Sequence, residues 1–206
     1  MPNKPKNGPV PPGLMLQYLV VLAGTDPLVW RRIQVPATYS FWDLHVAIQD
    51  AMGWLDYHLH EFRILDPRSG TEMRLGIPDE DFPAERPVTA DWTEFPLDYT
   101  RGRPHQIEYI YDFGDHWHHA VVFEDFVDED RPGKRPRCIG GGGACPPEDC
   151  GGPHGYAELL AILDDPTHPE HEEYMEWAGG PIDPASFSAD AIRFDDPKKR
   201  WELAFE

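Results

Sequence analysis

From Leu14 to Leu65 the chain reads LMLQYLVVLAGTDPLVWRRIQVPATYSFWDLHVAIQDAMGWLDYHLHEFRIL, and the fold is decided in this stretch. In its first nine residues Leu14, Leu16, Tyr18, Val20 and Leu22 share one face against a mostly apolar opposite face, the pattern of an inner strand. AGTDP makes a turn. The run LVWRRIQVP then sets Val29, Ile33 and Val35 on one side, with Arg31 between them, and Trp30, Arg32 and Gln34 on the other, which predicts a strand antiparallel to the first and ended by Pro36. Ser40 holds an N-cap position with Asp43 three residues on, and Phe41, Leu44, Ile48, Ala51 and Met52 recur at helical spacing up to Gly53. Beyond it, HLHEFRIL alternates His58, His60, Phe62 and Ile64 against Leu59, Glu61, Arg63 and Leu65 as a third strand. Strand, strand, helix, strand predicts an α+β domain, a small roll or grasp-like sheet packed on one helix.

Outward from this nucleus the pattern weakens. Residues 1–13 are rich in proline and carry Val10 as their sole large aliphatic side chain, so a flexible tail is expected ahead of a single domain over 14–206. Residues 66–104 are dense in Asp, Glu, Pro and Arg and read as a long excursion with at most short strands. QIEYIYDFGDHWHHAVVFEDF reads as two strands, near 106–113 and 116–124, joined by a tight turn at Gly114 and Asp115. Residues 125–154 pass from acidic to basic and then to CIGGGGACPPEDCGGPH, which predicts a folded loop in place of any helix or regular strand. Helices follow near 155–164 and 169–178, with a short one after Asp183, so the last third is helical and the sheet is antiparallel or mixed.

Composition narrows the function classes. With 37 Asp and Glu against 18 Lys and Arg, the 206 residues carry a net charge of −19, and protonating all 10 histidines leaves the balance negative. Phosphate backbones and anionic lipid repel such a chain, which argues against sequence-independent nucleic-acid binding and against membrane adhesion. A protein or a small molecule is the expected partner. The N-terminal residues lack the apolar core of a secretory signal, and no run approaches a membrane span, so a cytoplasmic protein is expected. The 3 cysteines suit a reduced compartment better than a disulfide framework.

Three groups of residues can carry chemistry. His58 and His60, on one face of a strand, would stand about 7 Å apart, a spacing that chelates a metal from an open sheet, or they pack beside Phe62. The hairpin gathers Asp112, Asp115, His116, His118 and His119, groups suited to acid/base or metal chemistry, although Gly114 and Asp115 are explained by turn geometry alone. Strand alternation puts Trp117 with His119 and His116 with His118. Cys138, Cys145, Cys150 and His154 offer four ligands for a zinc ion within seventeen residues, without the short Cys-x2-4-Cys hook of zinc ribbons. The glycine run lacks the Lys-Ser/Thr and the strand-to-helix setting of a phosphate loop, and reads more simply as backbone that must approach its neighbours closely.

Taken in order, PLVWRRIQVPATYSFWDLHVAIQDAMGWLDYHLHEFRI, YIYDFGDHWHHAVVFE and PRCIGGGGACPPEDCGGPHGYAELLAILDDPTHPEHEEYMEWAGGPIDPASF closely resemble the plasmid pRiA4b open-reading-frame-three-like family. The resemblance covers nearly everything from Leu14 to Phe187. It implies a single α+β domain and, through the family's alternative label as TnpR-type passenger proteins, an association with mobile elements. The positions that carry it are Trp30, Arg31, His58, Tyr111, Asp112, Gly114, Asp115, Trp117, His119, Cys145, Pro146, Glu148, Gly151, Gly152, Gly155 and Tyr156. Resolvase activity is not implied, because no serine-recombinase pattern is present. The leading expectation is a binding or accessory module. The competing one is a metal-dependent enzyme of hydrolytic type using His58, His60, Asp112, Asp115, His119 and Glu148.

Overall fold

The computed structural model describes residues 5–6, 8–66, 69–78, 87–100, 106–128 and 135–205. Its first two strands, β1 (Leu14–Leu22) and β2 (Val29–Pro36), pair antiparallel with Met15 opposite Pro36 and Leu22 opposite Val29. The alternation is realised: Leu16, Tyr18, Val20 and Leu22 of β1 and Val29, Ile33 and Val35 of β2 are buried on one face. Helix α1 (Phe41–Met52) packs on that face. Ser40 and Asp43 close its N-terminus reciprocally, each side chain accepting from the other's backbone N–H, and Gly53 ends it in the left-handed region at φ 90°.

Strand β3 (His60–Leu65) runs between β4 (Glu72–Gly76) and β6 (Gln106–Tyr111), and β5 (Val88–Ala90) lies parallel to β4 at the sheet edge. With β7 (Trp117–Asp128) and β8 (Arg137–Gly142) the strands form one mixed sheet in the order β5-β4-β3-β6-β7-β1-β2-β8. The excursion after residue 65 thus supplies two short strands, a 3-10 turn at Asp91–Thr93 and the short helix α2 (Leu97–Thr100). Residues 67–68, 79–86 and 101–104 of that excursion, residue 105 after it, and residues 1–4 and 7 of the N-terminal stretch lie outside the described residues. Lys6 ion-pairs with Glu94 at 2.7 Å, and its backbone N–H donates to Asp98 at 2.9 Å.

Two expectations need correction. β7 runs four residues past 124, because its far end pairs with the start of β1 across a bulge at Gln17 and Tyr18. Cys138 and the glycines after it form a strand, not a loop: β8 pairs with β2, and its missing side chains make room for aromatic rings on both faces. A Cβ on Gly142 would press on the Trp30 indole at 2.8 Å, and one on Gly141 would collide with the Phe187 ring. A glycine run is read as loop because it carries no periodicity; here the periodicity belongs to the rings that cover it.

Beyond β8 come α3 (Gly152–Asp164), α4 (His171–Trp177) and α5 (Pro197–Phe205), with a 3-10 turn at Ala189–Ala191. Helix α5, which the sequence pattern did not announce, lies across the outer side of α1. The Trp42 indole donates to Pro197 O at 3.1 Å and meets Trp201 edge-on, while Arg200 pairs with Asp50 at 2.6 Å. Sheet and C-terminal segment therefore enclose α1, which is why ten of its twelve residues are buried. Among the described residues no helix is long and apolar enough to cross a membrane.

Candidate functional site

Three chain segments converge where β6 turns into β7. The turn itself is Asp112–His116: Asp112 at φ 55° accepts from Gly114 N at 2.8 Å, and His116 at φ 57° closes the turn through a 2.7 Å bond from its N–H to Asp112 O. Asp115 accepts at 3.0 Å from Gly151 N, which draws the turn onto the loop between β8 and α3. A Cβ at Gly152 would collide with the Asp115 carbonyl, so the glycine that opens α3 is required by close approach, while Gly151 before it is required by its φ of 89°.

The third segment, residues 54–59, is laced to the other two by backbone groups. Leu55 N donates to Glu148 Oε1 at 2.8 Å, Tyr57 N to the Tyr111 hydroxyl at 3.0 Å, and Asp112 N to Leu59 O at 3.0 Å. Trp54 anchors it by donating to Pro146 O at 2.9 Å and stacking on Tyr111 with ring centroids 5.0 Å apart. The Tyr111 hydroxyl reaches both Glu148 oxygens at 3.1 and 3.2 Å. Burial, before any other influence, pushes the Tyr111 phenol up, which keeps it a donor, and pushes the Glu148 carboxyl up against the bonds from Leu55 N and Tyr111 that favour its carboxylate.

His58 stands at the meeting point. Its Nε2 lies 2.9 Å from Asp149 Oδ1 and 3.6 Å from Asp112 Oδ2, and ligand atoms of the three residues all fall within 4.8 Å of one another. The nitrogen is shut off from water yet makes no aligned hydrogen bond to either carboxylate. Asp149 escaped the sequence reading, which chose its neighbour Glu148 from the same turn.

The His58 and His60 pairing is corrected. β3 begins at His60, so the strand alternation that would put both rings on one face does not reach His58. His60 points into the core, where its ring stacks on His45 with centroids 3.5 Å apart, and its Nε2 lies 2.7 Å from the buried Asp91 carboxylate. Leaving a buried polar group without its partner costs about 1–3 kcal/mol, so this contact is a structural commitment. His45 completes a directed chain: Gln49 donates to the Tyr109 hydroxyl, that hydroxyl faces His45 Nδ1 at 2.8 Å, and His45 Nε2 faces Asp56 at 2.9 Å. Burial, helped by His60 alongside, lowers His45 to about 4, so the ring is neutral and donates from Nε2. Asp56 resists the upward pull of its own burial through His45 and Arg200, and ends below the ordinary carboxylate range.

His119 is likewise enclosed, set edge-on against Trp54 with burial lowering it to about 4. His116 and His118 face each other at 3.3 Å on the outer side of the hairpin, and His118 lies 2.9 Å from Glu108. Alternation therefore separates the hairpin histidines into an inner and an outer set, as expected. The thiols do not assemble: among the described residues the one group of three or more His, Cys, Asp or Glu at ligand distance is His58, Asp112 and Asp149, without Cys138, Cys145, Cys150 or His154. Burial raises all three thiols, Cys150 to about 12.

Beside Asp149 lies a cleft of about 270 Å³ lined by Asp149, Cys150, Leu159, Glu173, Tyr174 and Trp177. The segment 54–59 and the turn expose Leu55 (61%), Tyr57 (70%), Leu59 (56%) and Phe113 (45%). Backbone bonds at Leu55, Tyr57 and Leu59 fix the segment that carries three of this apolar ridge's four side chains to the junction that also carries Asp149.

Over residues 15–191 the chain matches the family described as plasmid pRiA4b ORF-3-like protein. It is similar to the uncharacterised protein y4hQ of Sinorhizobium fredii, 36% identical over 191 residues that cover 91% of this chain and 94% of that protein. The crystal structure of MM3350 from Methanosarcina mazei, a protein of unknown function, superposes with a TM-score of 0.80 at 36% identity, covering 88% of this chain and 98% of that one. Motifs, fold and relatives agree: this chain belongs to the plasmid pRiA4b ORF-3-like family.

Proposed function

We propose that the chain is a binding module, without turnover chemistry of its own, that engages a segment of a partner protein carrying Lys or Arg beside apolar side chains. The observation that carries this reading is the cleft lined by Asp149, Glu173, Tyr174 and Trp177, together with the exposed Leu55, Tyr57, Leu59 and Phe113 of the segments that converge at His58. A cationic side chain over Trp or Tyr gains about 0.5–2 kcal/mol, carboxylates at the rim add attraction, and apolar neighbours fill the ridge. The overall charge of −19 steers basic segments toward the chain and repels acidic ones. Reading the site as a hydrolase gains less, because His60 and His119 are enclosed in the core and Glu148 is held by Tyr111 and Leu55.

Selection of a random displayed peptide library on the immobilised full chain tests the proposal. Enriched peptides are expected to combine Lys or Arg with aliphatic or aromatic residues, and to lose at least tenfold in affinity against Trp177→Ala and Glu173→Lys. Enrichment of acidic peptides, or affinities untouched by both substitutions, would overturn it.

A further inference from the structure

We infer that His58, Asp112 and Asp149 form a binding site for one divalent transition-metal ion, which buckles the 54–59 segment, the β6–β7 turn and the loop ahead of α3 together. The inference shares Asp149 with the peptide-binding proposal but does not rest on it. It rests first on the donor set: one imidazole nitrogen and two carboxylate oxygens suit zinc, cobalt or manganese, whereas magnesium and calcium favour oxygen alone.

Geometry supplies the second support. With metal–ligand bonds of about 2.1 Å, N···O separations of 2.9 and 3.6 Å subtend roughly 90° and 120° at a common centre, angles that octahedral and tetrahedral coordination use. An ordinary ion pair accounts for this arrangement poorly. His45 and His60 make aligned hydrogen bonds to their carboxylates at 2.9 and 2.7 Å, whereas His58 Nε2, as close to Asp149, is misaligned and sealed from water. A buried nitrogen within 3.6 Å of two carboxylate oxygens that bonds to neither is placed to share an ion with them.

The three ligands also come from three segments. Asp112 is fixed by Gly114 N, and its turn is tied through Asp115 to Gly151, two residues after Asp149. Support of this kind from backbone donors orients metal-binding carboxylates. Three protein ligands leave coordination positions to water.

The test uses the full chain after chelator treatment, without any peptide. Calorimetric titration with zinc is expected to give one equivalent, and cobalt is expected to give visible d–d absorption without a thiolate charge-transfer band. His58→Ala and Asp149→Asn, the latter an exposed side chain whose loss spares the core, should each weaken zinc at least tenfold with circular dichroism unchanged. His118→Gln, on the outer face of the hairpin, should leave the titration as it is. Absence of a stoichiometric site, zinc affinity indifferent to both ligand substitutions, or a cobalt–thiolate band would each overturn the inference. Peptide affinity measured in chelator decides the binding proposal separately.

Discussion

His45 lies flat on His60, ring centroids 3.5 Å apart and planes 9° from parallel, in the space between α1 and β3. Burial, with His60 alongside, keeps His45 neutral, and that neutrality ties stability to pH. His45 and His119 both have folded values of about 4, lowered chiefly by burial, against an unfolded value of about 6.5. The unfolded chain therefore binds more protons between these limits, so stability is full above about pH 6.5 and is lost as pH falls toward 4. Denaturant unfolding across pH 4–7 should show a slope approaching about 1.4 kcal/mol per unit for each histidine. His119→Gln should lower the slope by roughly one histidine's share, and an unchanged slope would contradict this assignment.

Gly152 and Gly179 separate two costs of adding a methyl group. Both have positive φ, 70° and 73°, but a Cβ at Gly179 meets nothing within 4 Å, whereas one at Gly152 collides with the Asp115 carbonyl. Gly179→Ala should cost about 1 kcal/mol, the strain of a left-handed alanine. Gly152→Ala should cost clearly more and should loosen the β6–β7 turn, measurable as faster amide exchange at Gly151, whose N–H bonds to Asp115. Equal costs at the two positions would show that the close approach is absent in solution.

Burial raises Cys138, Cys145 and Cys150, even though the Arg31 guanidinium pulls Cys138 and Cys145 down. The thiolate is the reactive form. At pH 8 alkylation of the native chain should be at least tenfold slower than that of the urea-unfolded chain at all three positions, as read by mass spectrometry of the digested protein.

Random duplex DNA should not be retained in a mobility-shift assay at physiological salt. Of the basic stretch Arg131, Lys134, Arg135 and Arg137, the first two residues lie outside the described residues. Arg137 donates to Gln34 Oε1 at 2.7 Å, and the chain around it carries −19. Micromolar, salt-sensitive retention would refute this.

Local rules made the first half of the fold legible. Alternation from Leu14 to Leu22 and the Ser40–Asp43 pair each state their structure within a few residues, and the sheet and α1 follow. What stayed hidden depends on partners far away in sequence. His60 became a core residue through Asp91, 31 positions on, and β8 became a strand because Trp30 and Phe187 cover its glycines. At the candidate site His58, Asp112, Asp115 and Glu148 were legible as a chemistry-bearing set. Which member of Glu148–Asp149 faces His58 was not, since adjacent acidic residues in one turn differ only in the direction the folded loop gives them. Leu55, Tyr57 and Leu59 alternate as a buried strand would, and only their backbone bonds to Glu148, Tyr111 and Asp112 turn them outward.

The most direct test of the recognition face is the affinity of the full chain for a selected basic, apolar peptide, measured by fluorescence anisotropy for two variants side by side. One removes the ridge, Tyr57→Ser with Leu59→Ser; the other removes Leu203 on α5, equally apolar and 89% exposed but outside the three converging segments. The account predicts at least a tenfold loss for the ridge variant and none for Leu203→Ser. Equal affinities for the two would contradict it.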